Sequence, residues 1–173
     1  AILIRAPAHL DTALEVALGG HLQDIAVERW ADAEAAIALL KHSGAGRATF
    51  QPLDTLRPAR PLTPERAPGI VGPAAELVEY EARYAPLVAS LLGRSLIVED
   101  LATAQRLVRG GGSWTIVTLA GEITRSGGGV TGGAATRESG LLARERELRD
   151  LPRQVDRLSE ERSRLNAERE TAL

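Results

Sequence analysis

Few residues of this chain combine the types and the spacing that catalysis requires. Two pairs of carboxylates, Asp24 with Glu28 and Glu99 with Asp100, could in principle serve as a general acid and base. Both pairs lie where a predicted strand passes into a predicted helix, and acidic residues at such positions more often cap the helix or face water. The three histidines are scattered, with no spacing that assembles a nucleophile, a base and an orienting group. We therefore predict that this chain is not an enzyme.

The composition excludes further classes of site. Cysteine is absent, which excludes disulfides, thiol catalysis and cysteine-based zinc sites, and we predict no metal and no cofactor. The formal net charge is −2, so nothing global marks a nucleic-acid-binding protein. No apolar run approaches the roughly 18 residues of a membrane span, and no signal peptide opens the chain, which predicts a cytoplasmic protein. Methionine is absent as well, which predicts that the chain is part of a longer protein.

Residues 125–133 (RSGGGVTGG) form the stretch around which the chain is organised, because five of these nine residues are glycine. Such a cluster marks positive φ angles or a backbone that is closely approached by a phosphate, by another part of the chain or by a second molecule. A flexible surface loop is the other interpretation. A P-loop is excluded because no Lys follows these glycines. Gly127, Gly129 and Gly132 fit the register of a dinucleotide-binding loop, but no apolar helix follows them, so phosphate binding is disfavoured.

Two segments of similar order lie on either side of a proline-rich stretch. Each has a short apolar strand, at residues 25–28 and 96–99, followed by a helix and a glycine-containing end. This weak internal repeat predicts two pseudo-repeated small mixed-sheet lobes with flanking helices, of α+β or α/β class. The predicted divisions are a first lobe at residues 1–51, a connector at 52–75, and a second lobe at 76–137 that contains the glycine stretch.

Several local predictions accompany this division. We expect a strand over residues 1–5, a helix capped by Asp11, and a helix with Ala33, Ala36, Ile37 and Leu40 on its inner face. We also expect a helix over residues 76–92 that is kinked or split at Pro86, a helix capped by Asp100, and a hairpin from Trp114 to Thr124.

Residues 138–173 differ from the rest in being almost wholly charged or polar between apolar heptad positions. The heptads predict a coiled-coil helix that Pro152 bends or interrupts, and such a polar helix requires a partner strand from another segment or another chain. The predicted seam consists of Leu141, Leu148, Leu151, Val155, Leu158 and Leu165.

Several blocks, taken together and in this order, resemble the hinge domain of bacterial structural maintenance of chromosomes (SMC) proteins. They are residues 17–27 (ALGGHLQDIAV), 46–54 (GRATFQPLD), 91–93 (LLG), 115–122 (TIVTLAGE) and the glycine stretch. The resemblance covers roughly residues 1–133. The family hinge also has an incoming coiled-coil arm and an opening segment before the first strand, and this chain begins just inside that segment.

The resemblance implies a homodimerisation hinge that links two antiparallel coiled-coil arms of a chromosome condensation and segregation ATPase, whose head domains are not in this chain. Residues 138–173 would then be the outgoing arm. The glycine-rich blocks of the family lie at the dimer contact, which agrees with the physical argument that missing Cβ atoms let two backbones come together. Carried over, the implied interface residues are Gly127, Gly128, Gly129, Val130, Thr131, Gly132 and Gly133.

Two further interpretations stay open at this point. Family hinges are associated with DNA contact near the hinge–coil junction, which implies a nucleoid-associated protein with weak, salt-sensitive phosphate contacts. The arginines in question are Arg125, Arg137, Arg144, Arg146 and Arg149. Interleaved acidic residues can instead pair with them on a solvated helix face. The alternative to a hinge is an unrelated α/β domain that is oligomerised by its C-terminal coiled coil.

Overall fold

A computed structural model describes residues 3–57, 64, 67–125, 127–133 and 140–171 of the chain. The chain divides into two compact units, residues 1–138 and residues 139–173. The helices are α1 (Asp11–Leu18), α2 (Trp30–Ser43), α3 (Ala85–Leu92), α4 (Leu101–Arg109) and α5 (Leu141–Thr171). The strands are β1 (Ile4–Arg5), β2 (Ile25–Val27), β3 (Phe50–Pro52), β4 (Ile70–Pro73), β5 (Glu79–Tyr80), β6 (Ser95–Val98), β7 (Thr115–Thr118), β8 (Ile123–Thr124) and β9 (Val130–Thr131).

A five-stranded mixed sheet in the order β4-β6-β7-β8-β9 is the centre of the first unit. Strands β6 and β7 run parallel and are joined through α4, and the other neighbours pair antiparallel. All four residues of β6 are buried, as expected for a strand that is covered on both faces and therefore has no alternating pattern. Helix α1 contacts β7, and α4 contacts both β6 and β7.

The predicted repeat is present in the fold. Strands β2 and β3 pair in parallel and are joined through α2, just as β6 and β7 are joined through α4. The mixed α+β class with flanking helices and a C-terminal helix is therefore confirmed. The two repeats belong to the same compact unit, so they do not form separate domains.

The predicted connector over residues 52–75 is too long. Pro52 ends β3, and Ile70–Pro73 forms β4, which pairs antiparallel with β6 at the edge of the main sheet. The proline and glycine content of this stretch concealed the strand, although edge strands are where proline is tolerated. Residues 58–63 and 65–66 of the connector lie outside the described part of the chain.

Helix α3 is shorter than the predicted helix over residues 76–92. Two single turns of 3₁₀ helix and strand β5 occupy residues 74–84, and α3 begins at Ala85. Pro86 therefore neither kinks nor splits a helix. It stands in the first turn of α3, where its missing N–H costs nothing and its fixed φ suits the helix.

Two other helix predictions need correction. Asp11 lies in the first turn of α1 and does not cap it, since the N-cap position is Leu10 at the end of a 3₁₀ turn. On α2, Ala33 is buried as predicted, but Ile37 is 40% exposed. The two-stranded sheet beneath α2 is too narrow to cover the full apolar face that the periodicity predicted.

Helix α5 is continuous from Leu141 to Thr171, with Pro152 inside it, so the predicted interruption at this proline is wrong. Pro152 has no N–H, so one backbone hydrogen bond of the helix is missing. The carbonyl left without this donor belongs to Leu148, which is exposed, so water can hydrate it. All six predicted seam residues lie on α5 with exposed side chains. In the part of the chain that the structure describes, no helix is both long and apolar enough to cross a membrane.

Asp100 caps α4, as the sequence predicted. Its Oδ1 accepts a hydrogen bond of 2.8 Å from the backbone N–H of Thr103. This bond, together with the Thr103 hydroxyl, lowers the pKa of Asp100 from its ordinary 3.8. The Thr103 side chain in turn lies under Gly69 (φ +85°), where an added Cβ would come within 2.3 Å of the Thr103 hydroxyl oxygen.

We expect Asp100→Ala to lower the melting temperature (Tm) at pH 7, and the loss to depend on pH. Because the pKa of Asp100 is lower in the folded chain than in the unfolded one, its stabilisation is complete above the unfolded value of 3.8 and disappears as the pH falls through the folded value. Thermal unfolding of both proteins between pH 7 and pH 2.5 measures this. A Tm difference that stays constant over that range would contradict the assignment.

Candidate functional site

The glycine stretch builds a tight turn that joins β8 to β9. The N–H of Gly128 donates to the carbonyl of Arg125 at 2.8 Å, and the N–H of Arg125 donates to the carbonyl of Gly129 at 3.3 Å. Gly128 has φ +80°, in the left-handed region that favours glycine. Residues 127–133 are therefore a hairpin turn followed by a strand, and Ser126 lies outside the described residues.

Strand β9 is the outer strand of the main sheet. Its two residues pair with β8, Thr131 opposite Ile123 and Val130 opposite Thr124, and no other described strand lies on its far side. The Val130 side chain is 62% exposed. An exposed apolar edge strand offers unpaired N–H and C=O groups to a further strand.

The glycines of the stretch divide into two groups. Gly128 (φ +80°) and Gly133 (φ +141°) have backbone angles that other residues rarely adopt, and a Cβ at Gly132 would come within 2.8 Å of the Glu122 side chain. The fold of one chain therefore accounts for glycine at these three positions. Gly127 and Gly129 have ordinary angles, and an added Cβ would meet no atom within 4 Å. Nothing in the described part of the same chain requires glycine there.

An apolar groove of about 520 Å³ lies between α4 and β9, beside the glycine turn. Its lining includes Leu101, Val108 and Val130, together with the Gly128 backbone. Leu101 is half-exposed although it is apolar and begins a helix. The groove and the β9 edge together form one continuous surface, which we call the β9 surface.

A second apolar surface lies on the other repeat. A groove of about 410 Å³ between α2 and β3 is lined by Trp30, Ile37, Phe50 and Pro52, among others. Trp30 is 61% exposed, and within the described residues the β2–β3 pair hydrogen-bonds to no third strand. We call this the β3 surface. Sequence reasoning missed it, because the helical periodicity predicted that Ile37 faces the interior.

The arginines that the resemblance implied for DNA contact are divided between the two units of the chain. Arg125 belongs to the first unit and is exposed, whereas Arg144, Arg146 and Arg149 lie on α5 in the second unit. Arg137 lies outside the described residues. Glu145, Glu147 and Asp150 alternate with the α5 arginines along the helix. DNA contact through these residues stays a prediction.

The acidic pairs weighed as acid–base candidates have structural partners. Asp24 accepts hydrogen bonds from the His21 ring and the Gln51 side chain, and Asp100 caps α4. Glu28 is exposed and lies 3.8 Å from Arg83. The association of His21 with Asp24 was missed in the sequence. The only sequence feature that could have indicated this contact is the separation of His21 and Asp24 by three residues.

Comparison with known proteins identifies the family of the chain. Residues 1–108 match the family model described as the SMC proteins Flexible Hinge Domain. The chromosome partition protein Smc of Bacillus subtilis is 36% identical over 98% of this chain, and that of Desulfitobacterium hafniense is 38% identical over 89%. The chain spans 15% and 13% of the length of these two relatives.

Two solved structures share the fold. A crystal structure of an asymmetric dimer of the Geobacillus stearothermophilus SMC hinge domain is 41% identical, with a TM-score of 0.81 over 95% of this chain and 68% of that one. The Pyrococcus furiosus Smc hinge domain with an extended coiled coil is 30% identical, with a TM-score of 0.67 over 96% of this chain and 60% of that one. The strand–helix–strand repeats, the glycine turn and the match over residues 1–108 lead to one conclusion: the chain belongs to the family of SMC hinge domains.

Proposed function

We propose that this chain is a homodimerisation hinge in which the β9 surface of one copy binds the β3 surface of a second copy. The observation that carries the proposal is the pair Gly127 and Gly129. These two glycines lie beside a strand edge that no other described strand covers, and the described part of one chain does not require glycine at either position. A second backbone that approaches this edge closely gives them a physical reason.

The β9 surface and the β3 surface each combine a strand edge with an apolar groove, so they can pair with each other. The β9 surface offers a free strand edge beside an apolar groove, and the β3 surface offers an unextended strand pair beside another apolar groove. Joining them would extend the main sheet of one copy by the small sheet of the other and would cover Trp30, Ile37 and Val130. Because each chain carries both surfaces, a pair of chains can make the same contact twice and close with twofold symmetry.

The solved relatives support dimerisation in general. The Geobacillus stearothermophilus hinge, which is 41% identical to this chain, is described as an asymmetric dimer. We also propose which residues of the β9 side make the contact, from the resemblance and from the geometry of the turn. They are Gly127, Gly128, Gly129, Val130, Thr131, Gly132 and Gly133.

For the whole protein we propose a role in chromosome partition, since the full-length relatives carry that name. In this role the first unit joins two coiled-coil arms, and α5 is the beginning of one arm. Its exposed heptad residues would be covered by an antiparallel helix of the same protein. We assign no catalysis to the hinge itself. ATP hydrolysis would belong to head domains elsewhere in the protein.

Light scattering on the chain, and on a version that ends at residue 139, tests the proposal. We expect both to have twice the mass of one chain at micromolar concentration, because both surfaces lie in the first unit. The rival interpretation places oligomerisation in the exposed α5 seam and predicts that the shortened version is a monomer. A monomeric shortened chain that remains folded by circular dichroism would therefore overturn the proposed contact.

A further inference from the structure

A cleft of about 380 Å³ lies between the end of α1, strand β2 and helix α3, apart from the two grooves already described. Most of its wall is apolar. The polar side chains in the wall include His21, Asp24 and Gln51, and no Arg or Lys is among the described residues that line it. A cleft of this size with few convergent polar groups is what a small ligand requires.

The carboxylate of Asp24 is the charged group of the cleft wall, and its side chain is only 8% exposed. Its Oδ2 accepts two hydrogen bonds of 2.7 Å, one from His21 Nδ1 and one from Gln51 Nε2. Because a carboxylate oxygen only accepts, the His21 ring carries its proton on Nδ1 in this contact. These two donors fix the orientation of the carboxylate.

The other carboxylate oxygen of Asp24, Oδ1, is not bound by these two donors. Oδ1 accepts no hydrogen bond from the described part of the chain. It is also not sealed from solvent, because no fully buried side-chain oxygen of the described residues lacks a partner. A largely desolvated carboxylate with one free oxygen binds a cationic donor more strongly than a neutral one.

We propose that this cleft binds a small primary amine with an apolar body, the ammonium group on Asp24 Oδ1 and the body against the leucine-rich wall. Leu18, Leu22 and Leu91 provide apolar surface for the body. The fixed carboxylate, in a wall whose described residues include no Arg or Lys, selects a cation and disfavours an anion. None of the residues that line this cleft lines either groove of the dimer contact proposed above.

Titration of the ¹⁵N-labelled chain at pH 7.5 with three probes of one length tests the inference. The probes are n-hexylamine, hexan-1-ol and hexanoate, which share the apolar body and differ in charge. We expect saturable shifts of amides in residues 18–26, 51 and 87–92 with hexylamine. Its Kd should be lower than that of hexanol by about tenfold or more, as for a hydrogen bond to a charged group. Hexanoate should give no saturable shift. Equal affinities for the amine and the alcohol, or hexylamine shifts confined to other residues, would overturn the proposal.

Two variants sharpen the test. Asp24→Asn keeps one acceptor oxygen for His21 and Gln51 but replaces the free oxygen by an NH₂ group, which repels an ammonium ion. We expect it to raise the Kd of hexylamine at least about tenfold and to leave that of hexanol unchanged. Glu99→Gln removes an exposed carboxylate outside the cleft and serves as the matched control. If Asp24→Asn does not fold, the three probes on the unaltered chain still decide the question.

Discussion

The double variant Gly127→Val/Gly129→Val is expected to be a folded monomer. Both positions have ordinary backbone angles and open space around the position of a Cβ, so the isolated chain can accommodate valine there. At the proposed contact the same side chains would separate the β9 edge from the second copy. Overpacking at one contact costs about 1–3 kcal/mol, and the contact occurs twice, so the dissociation constant should rise by about thirtyfold or more.

Light scattering against protein concentration, together with the Tm, measures this effect. Gly20→Val is the matched control, since Gly20 also has an ordinary angle and no atom within 4 Å of an added Cβ. Gly128→Val is a different test, because φ +80° strains any residue with a Cβ and the variant should lose stability as a monomer. A Gly127→Val/Gly129→Val protein that remains a dimer at low micromolar concentration would show that the glycines do not lie at the contact.

Much of the fold could be predicted because local signals and tertiary packing agree. The apolar runs at β2 and β6, the helices that follow them and the Asp100 cap were predicted from sequence signals that each extend over only a few neighbouring residues. The hairpin of β7 and β8 follows from Gly121, whose positive φ lets the chain turn at that point. In β6, and at Ala104 of α4, the apolar residues of the sequence pattern are buried as expected, whereas Ile25 of β2 and Ile37 of α2 stay exposed.

The misassigned elements are those whose local signal conflicts with their environment. Leu77, Tyr80 and Tyr84 have helical spacing, yet all three precede α3. Leu77 follows a 3₁₀ turn as its C-cap, Tyr80 lies in β5 and Tyr84 ends a second 3₁₀ turn. Strands β4 and β9 have few residues and are flanked by proline or glycine, so only their pairing to β6 and β8 makes them strands. Pairing between distant segments cannot be seen in a window of neighbouring residues.

The sequence was sufficient to locate the glycine stretch as a candidate site, but not to assign a role to each of its glycines. The glycine content of residues 125–133 indicated close approach or positive φ, without a means of telling one glycine from another. That distinction depends on distances to atoms far along the chain, such as the Glu122 side chain beside Gly132. The β3 surface could not be predicted at all, because Trp30 and Ile37 occupy positions that would be buried under a wider sheet.

The second large effect is expected at the centre of the main sheet, where Leu96→Ala should lower the free energy of unfolding by about 3 kcal/mol. Leu96 is fully buried and packs in a cluster with Ala104, Trp114 and Ile116, and its strand has a hydrogen-bonded neighbour on each side. The cavity therefore cannot be filled by movement of an edge. Leu39→Ala, at a position that is 66% exposed on α2, is the matched control and should change stability by less than about 0.5 kcal/mol.

Urea unfolding at one fixed protein concentration measures both variants, because dimerisation contributes to the apparent stability of each. Similar losses for Leu96→Ala and Leu39→Ala would contradict the assigned core. Leu96 itself lines neither groove, although its cluster neighbours Ala104 and Val108 line the groove of the β9 surface. The folded fraction of Leu96→Ala should therefore still scatter light as a dimer. Gly127→Val/Gly129→Val should show the reverse, a folded chain without a partner. If the core variant instead became a folded monomer, the dimer contact would depend on the packing of the central strand and not on the β9 edge alone.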